Sequence, residues 1–227
     1  MANEPNDESV RDSQEESEQQ PADSDQPTAQ SEEQPAEQTD ESTEQSESGE
    51  GKTKTIQPPS YDVPLLQQPS DNTCWATVAT MMMSWHDKTS YTIEAAMGRA
   101  GSQYQTMVKN DQGLLGRDKP AFLAAGGLQS EAPQDYTVEG MAELIQKYGP
   151  LWVTTDESPD QNFAIHARIV TSMSGDGTID GTMLQINDPA DGQQHSESFN
   201  IVMQKFDRVA FDDLGTHAPM RVQVVHF

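Results

Sequence analysis

The chain has 227 residues, a formal net charge of -25 and an apolar fraction of 33%, too low for a protein that is globular throughout. The excess of acid excludes phosphate-backbone binding and attraction to an anionic membrane surface, both of which need clustered Lys and Arg. No apolar run approaches the roughly 20 residues of a membrane span, and the single cysteine excludes an intramolecular disulfide and a Cys-rich zinc site.

Up to Lys54 there is no Trp, Tyr, Phe, Leu or Ile, and up to Ile56 there are 17 acidic against 3 basic residues, so this stretch carries -14 and the rest -11. Such a segment cannot bury enough apolar area to offset its ordering entropy, so residues 1–56 are expected to be a disordered acidic tail. Residues 57–227 are long enough for one domain with its own core. The acidic amino terminus lacks a secretory signal. The expectation is therefore a monomer made in the cytoplasm, with export by a signal-independent route left open.

Val63 to Gln67 reads as a short extended entry. Four capping residue types, Ser70 to Thr73, then precede Ala76, Val78, Ala79, Met81, Met82 and Trp85 at helical spacing, which starts a helix at Thr73 or Cys74. TIEAAMGRAG is a second helix, KPAFLAAGG a third, and TVEGMAELIQKY a clearly amphipathic fourth that Gly149-Pro150 ends. From Leu151 the pattern turns to strands: LWVTT, FAIHARIVTSM, TMLQIN, HSESFNIVM and MRVQVVHF. Helices followed by strands predict an α+β domain with an antiparallel sheet.

Cys74 stands at a helix start, where unpaired N–H groups favour a thiolate. A nucleophile also needs a base, and that base needs an orienting group. In FAIHARIV, His166 and Arg168 fall on the face opposite Phe163, Ile165, Ala167 and Ile169. If the next two strands form a hairpin symmetric about Gly177, His166 lies directly opposite Asp188, which would fix its tautomer and favour imidazolium. A slip of register makes Asn187 the fallback, although alternation aims it to the other face. The Cys74 backbone N–H and the Gln68 side-chain amide, six residues upstream, are candidate oxyanion donors. The chemistry calls for no cofactor and no metal.

Gln68 to Trp75, QPSDNTCW, resembles the glutamine-to-Cys-Trp signature of papain-like cysteine peptidases. HARIVTSMSGDGTIDGTMLQINDP is similar to the His strand, hairpin and Asn-Asp-Pro ending of their bacterial branch, which includes effector peptidases of plant-pathogenic bacteria and is similar to peptidases that cleave bacteriocin leaders. The resemblance runs from about Val63 to Val202. It implies a papain-like fold and a peptide or protein substrate, with Cys74 as nucleophile, His166 as general base and acid, Asp188 as orienter and Gln68 as oxyanion donor. The disulfides, the Cys-Gly-Ser-Cys context and the Asn-Ser-Trp motif of plant papain are missing. Amidase or deamidase chemistry on the same triad, or a catalytically silent binding module, are the alternatives.

Met81-Met82-Met83 reads as core packing. Trp75 and Trp85 are candidates for a substrate groove or for the core, and Trp152 for the core. His195 and His217 read as solvated, and His86 and His226 have no evident partner. Asp176 and Asp180 fit a Gly-Asp turn better than a calcium site.

Overall fold

Helix α1 (Cys74–Asp87) organises the domain because it is apolar nearly all round: Ala76, Val78, Ala79, Met81 and Met82 have no exposed surface. A helix of that kind has to be covered on several sides. In the computed structural model, which describes residues 55–158, 164–215 and 224–227, the cover comes from three short helices and one face of a sheet. The helices are α2 (Ile93–Ala100), α3 (Ser102–Lys109) and α4 (Lys119–Gly126). The acidic stretch 1–54, Phe163 and His217 lie outside the described residues. Ile56, assigned from sequence to the end of the tail, is instead buried and bridges Gly175.

The sheet contains β1 (Gln129–Ser130), β2 (Leu151–Asp156), β3 (Ile165–Gly175), β4 (Thr182–Asp188), β5 (Gln193–Ser198) and β6 (Val224–His226), in the spatial order β1-β6-β2-β3-β4-β5. Every pairing is antiparallel. Trp152, Ala167, Ile169 and Val225 face α1, whereas Leu151, Val153, Val170 and Val224 join α5 (Val138–Tyr148) and α6 (Phe199–Gly215) on the other face. Coverage of both faces explains the unbroken apolar runs LWV and IV, which a half-solvated strand would interrupt.

Helix α6 corrects the sequence-based expectation that HSESFNIVM is one strand. The strand stops at Ser198, and Phe199, Val202, Phe206 and Val209, spaced three or four apart, are buried as one helical face. Helix α3 was likewise missed: its sequence, SQYQTMVK, buries only Tyr104 and carries little apolar signal. Of the expected closing strand, residues 220–223 lie outside the described residues, and Val224 to His226 form β6.

β3 contains a bulge between Val170 and Ser172. The extra residue, Thr171, directs its carbonyl to the Tyr61 N–H at 3.1 Å and its hydroxyl to the Gln185 carbonyl at 3.2 Å. The entry segment is therefore fastened at the bulge, and it stays fastened downstream. Asn187 Nδ2 donates to the Val63 carbonyl at 3.1 Å, Gln67 Nε2 to Ala190 at 3.2 Å, and the Gln68 N–H to Pro189 at 2.8 Å. Gly192 has a left-handed φ of 69°, and a Cβ there would lie 3.0 Å from Gln67 Cβ, so a side chain would push this segment away. No helix among the described residues is long and apolar enough to cross a membrane.

Candidate active site

α1 begins at Cys74. Thr73 occupies the N-cap but its hydroxyl turns back to the Ser70 carbonyl at 2.8 Å, so no side chain caps the first N–H groups beside the sulfur. The Ser70–Thr73 turn is braced from outside. Asp111, at a left-handed φ of 50°, accepts the Asn72 N–H at 2.9 Å and its Nδ2 at 3.2 Å. The Trp75 indole donates to the Gln112 carbonyl at 3.1 Å and packs edge-on against Phe122, with centroids 4.9 Å apart. Trp75 thus serves the core and lines the cleft at once.

His166, the second residue of β3, has its Nε2 2.7 Å from Asp188 Oδ1, and both side chains are shielded. With Nε2 so engaged, Nδ1 is the nitrogen left for the Cys74 thiol, which is also in hydrogen-bond contact with the ring. Burial opposes the imidazolium, but the hydrogen bonds to Asp188 and Cys74 and the charges of both outweigh it, and the pKa of His166 is raised to about 9. Burial would likewise push Asp188 upward. The His166 hydrogen bond and charge, the Ala190 N–H at 2.8 Å and the Arg168 charge instead hold it below the usual carboxylate range.

The register differs from the symmetric hairpin. Ile169 faces Asn187 where symmetry about Gly177 would have set His166 facing Asp188, so the two meet on a diagonal. The shift is two residues at the site, and an even shift leaves both side chains on the same face. Nearer the turn the offset is odd, with Ser172 facing Gln185, and the Thr171 bulge restores the parity. Asn187 is buried and turned away: its Oδ1 accepts from Gln194 Nε2 at 3.0 Å while its Nδ2 holds Val63.

Gln68 lies next to the Asp188-Pro189 turn through its backbone. Its Nε2 donates to the carbonyls of Ser70 at 2.9 Å and Asp71 at 3.2 Å, and its Oε1 is buried with no partner among the described residues. A cleft of about 470 Å³ opens at Cys74 and runs between Trp75, Leu114 and Trp152 toward Ile165 and Ala167. Lys119 is at its wall, its Nζ 3.0 Å from Thr154 Oγ1 and 4.8 Å from the Trp152 ring. Neither Lys119 nor Asp111 is singled out by the sequence, since Lys119 gains its position from the packing of the start of α4 against β2 and Asp111 from a loop that reaches Asn72.

Among the described residues, the other histidines lie apart from this cleft. His195 pairs with Asp191 at 2.8 Å on the surface, and His86 pairs with Asp87 at 2.8 Å and stacks on Phe227. His226, for which the sequence offered no partner, is buried between Tyr148 and Glu131, with Nε2 3.1 Å from the carboxylate. Asp176 closes its own turn by accepting the Thr178 N–H and hydroxyl, and Asp180 accepts from Asn200. No group of ligating side chains among the described residues could hold a metal ion.

The sequence matches no curated protein. Among solved structures it is similar to the crystal structure of the Pseudomonas avirulence protein AvrPphB, at 13% identity and a TM-score of 0.29 over 73% of this chain and 94% of that one. A likeness that loose adds nothing to the assignment. The family model described as papain-like cysteine protease AvrRpt2 matches residues 58–207, which include the whole α1, β3 and β4 arrangement. With a single cysteine opening an apolar helix against a shielded histidine, the chain belongs to this papain-like cysteine protease family.

Proposed function

We propose that residues 57–227, with Ile56, form a peptidase that hydrolyses peptide bonds through a thioester on Cys74. The observation that carries this is the position of His166, which engages Cys74 on one side and Asp188 at 2.7 Å on the other. An imidazole so placed holds a proton for the leaving group while the sulfur remains thiolate. Cys74 Sγ attacks the substrate carbonyl carbon, and the electron pair moves to oxygen. His166 then gives its proton to the departing amine as the C–N bond breaks. Water next attacks the thioester, loses a proton to His166 and releases the carboxylic acid with the thiolate. Asp188 keeps the ring oriented and its charge compensated through both steps.

The developing oxyanion needs two donors. The Cys74 backbone N–H has no side-chain cap competing for it. The second donor is Gln68: the carbonyls of Ser70 and Asp71 are neighbours in the chain, so one hydrogen of Nε2 can be shared between them and the other offered to the substrate. The cleft beside Cys74 has the volume for a substrate side chain and mostly apolar walls.

The test is substrate profiling of the full chain on proteome-derived peptides, with muropeptides in a parallel arm and Cys74→Ala as control. Peptide products that vanish in the variant are expected. Turnover retained without the thiol refutes the mechanism, and products from muropeptides alone refute the peptidase assignment.

A further inference from the structure

Arg168 takes no part in the steps above, yet its side chain is only 1% exposed and it lies two residues along β3 from His166. Its Nη2 is 2.9 Å from Glu157 Oε1, and its Nη1 bonds Glu197 Oε1. Lys205 closes the ring from α6, with Nζ 2.7 Å from Glu157 Oε2 and 3.0 Å from Glu197 Oε2. Each carboxylate thus gives one oxygen to the guanidinium and the other to the ammonium, and the four charges cancel. The ring ties together the end of β2, β3, β5 and α6.

Stability alone is a poor reason for such a ring, because the desolvation of buried ions offsets most of their attraction and apolar replacements of similar volume often do as well. Two features direct it at the site. Glu157 Oε1 accepts the Thr155 hydroxyl at 2.8 Å, and Thr155 is the β2 residue paired with His166. Continuing the register one step beyond Ile169 and Asn187 sets Arg168 opposite Asp188, and Arg168 Nε is buried with no acceptor among the described residues.

We infer that Arg168 is a positioning residue of the Cys74–His166–Asp188 site, its guanidinium held by the ring beside Asp188 so that this carboxylate stays charged and in place under the imidazole. The inference rests on the triad proposed above. The charge of Arg168 acts on Asp188 in the sense required. The remaining charged groups are His166 itself, Cys74 from α1 and the three other ring members, of which the variants below change Glu197 and Lys205, together with the Asp156–Arg208 and Asp191–His195 pairs, which they leave intact.

Because the chain has one cysteine, alkylation by iodoacetamide reports Cys74 alone. The experiment is its rate against pH for the full-length wild type and for Arg168→Met/Glu197→Gln, which removes one charge of each sign and keeps the Glu157–Lys205 pair. Lys205→Met/Glu197→Gln is the control, since it breaks the same ring and leaves Arg168. The acid limb is expected to move up by about half a pH unit or more in the first variant, an approximately threefold slower reaction on that limb, and to stay in place in the control. If the first variant is unfolded in urea titration, Arg168→Gln, which stays polar and loses the charge, is expected to show the same shift. An unmoved limb in a folded Arg168 variant, or an equal shift in the control, overturns the inference while leaving the triad intact. A wild-type Cys74 that alkylates no faster than a free thiol at neutral pH overturns the triad and this inference together.

Discussion

His166 and Asp188 meet diagonally across the β3–β4 ladder, 2.7 Å apart, while the β3 register continued one step beyond the Ile169–Asn187 pair brings Arg168 to the level of Asp188. The carboxylate therefore bonds the imidazole and also feels the charge of a buried guanidinium. Asp188→Asn keeps the shape and can keep one hydrogen bond, but it removes the charge that supports the imidazolium. Turnover is expected to fall by about 10²–10⁴-fold, measured as the steady-state rate on a cleaved peptide.

Asn187→Ala is the informative counterpart. It leaves the Val63 carbonyl without its donor and Gln194 with Thr171 alone, so urea unfolding is expected to show a loss of about 1–3 kcal/mol. The alkylation rate of Cys74 in the folded variant is expected to stay within about twofold of wild type. A loss of thiol reactivity as large as that in Asp188→Asn would reassign the orienting role.

The pH dependence follows from His166. Its pKa is raised from 6.5 to about 9, so the folded state binds this proton more tightly than the unfolded chain does. The stabilisation is fully present below about 6.5 and disappears as pH rises through about 9, an effect on the order of 3 kcal/mol. Asp188, held low, acts in the opposite sense and withdraws its contribution as pH falls through its folded-state pKa. Urea unfolding between pH 6 and 10 is expected to show this alkaline loss in wild type and not in His166→Ala. Turnover is expected to decline above about 9, where the leaving amine finds no proton on His166.

Gln68→Ala separates the oxyanion donor from the nucleophile. Peptide turnover is expected to drop by about 10²–10³-fold, because a donor to the tetrahedral intermediate is lost. Alkylation by iodoacetamide passes through no oxyanion, so its rate is expected to change by less than about twofold. Equal losses in both assays would mean that Gln68 holds the Ser70–Asp71 turn and does not donate to substrate.

Asp111 provides a test of the brace on the nucleophile turn. Asp111→Ala releases Asn72 from two hydrogen bonds, and Cys74 sits two residues further on. A loosened near-attack geometry is expected to lower kcat about 5–10-fold with KM little changed. Asp111→Asn, which can still accept the Asn72 N–H, is expected to recover most of it.

Much of the site was legible in the chain itself. The helix start at Cys74 is written in four capping residue types followed by an apolar face, and the spacing of Gln68 from Cys74 is local. Local order also marks β3 and β4, because alternating residues flank a Gly-Asp turn. The facing of His166 and Asp188 could be anticipated for a subtler reason: any even slip of register keeps them on one face, so the symmetric hairpin placed them correctly with the wrong pairing. Tertiary structure decided the rest. The Thr171 bulge, which makes the slip even, exists because Tyr61 and Gln185 bond that residue from two directions. α6 is a helix because the second face of the sheet needs covering, a demand that no local window expresses. Arg168 reads in sequence as one more polar residue of a strand; what makes it a buried cation beside Asp188 is the arrival of Glu157, Glu197 and Lys205 from three other elements, and only the closed chain brings those charges together.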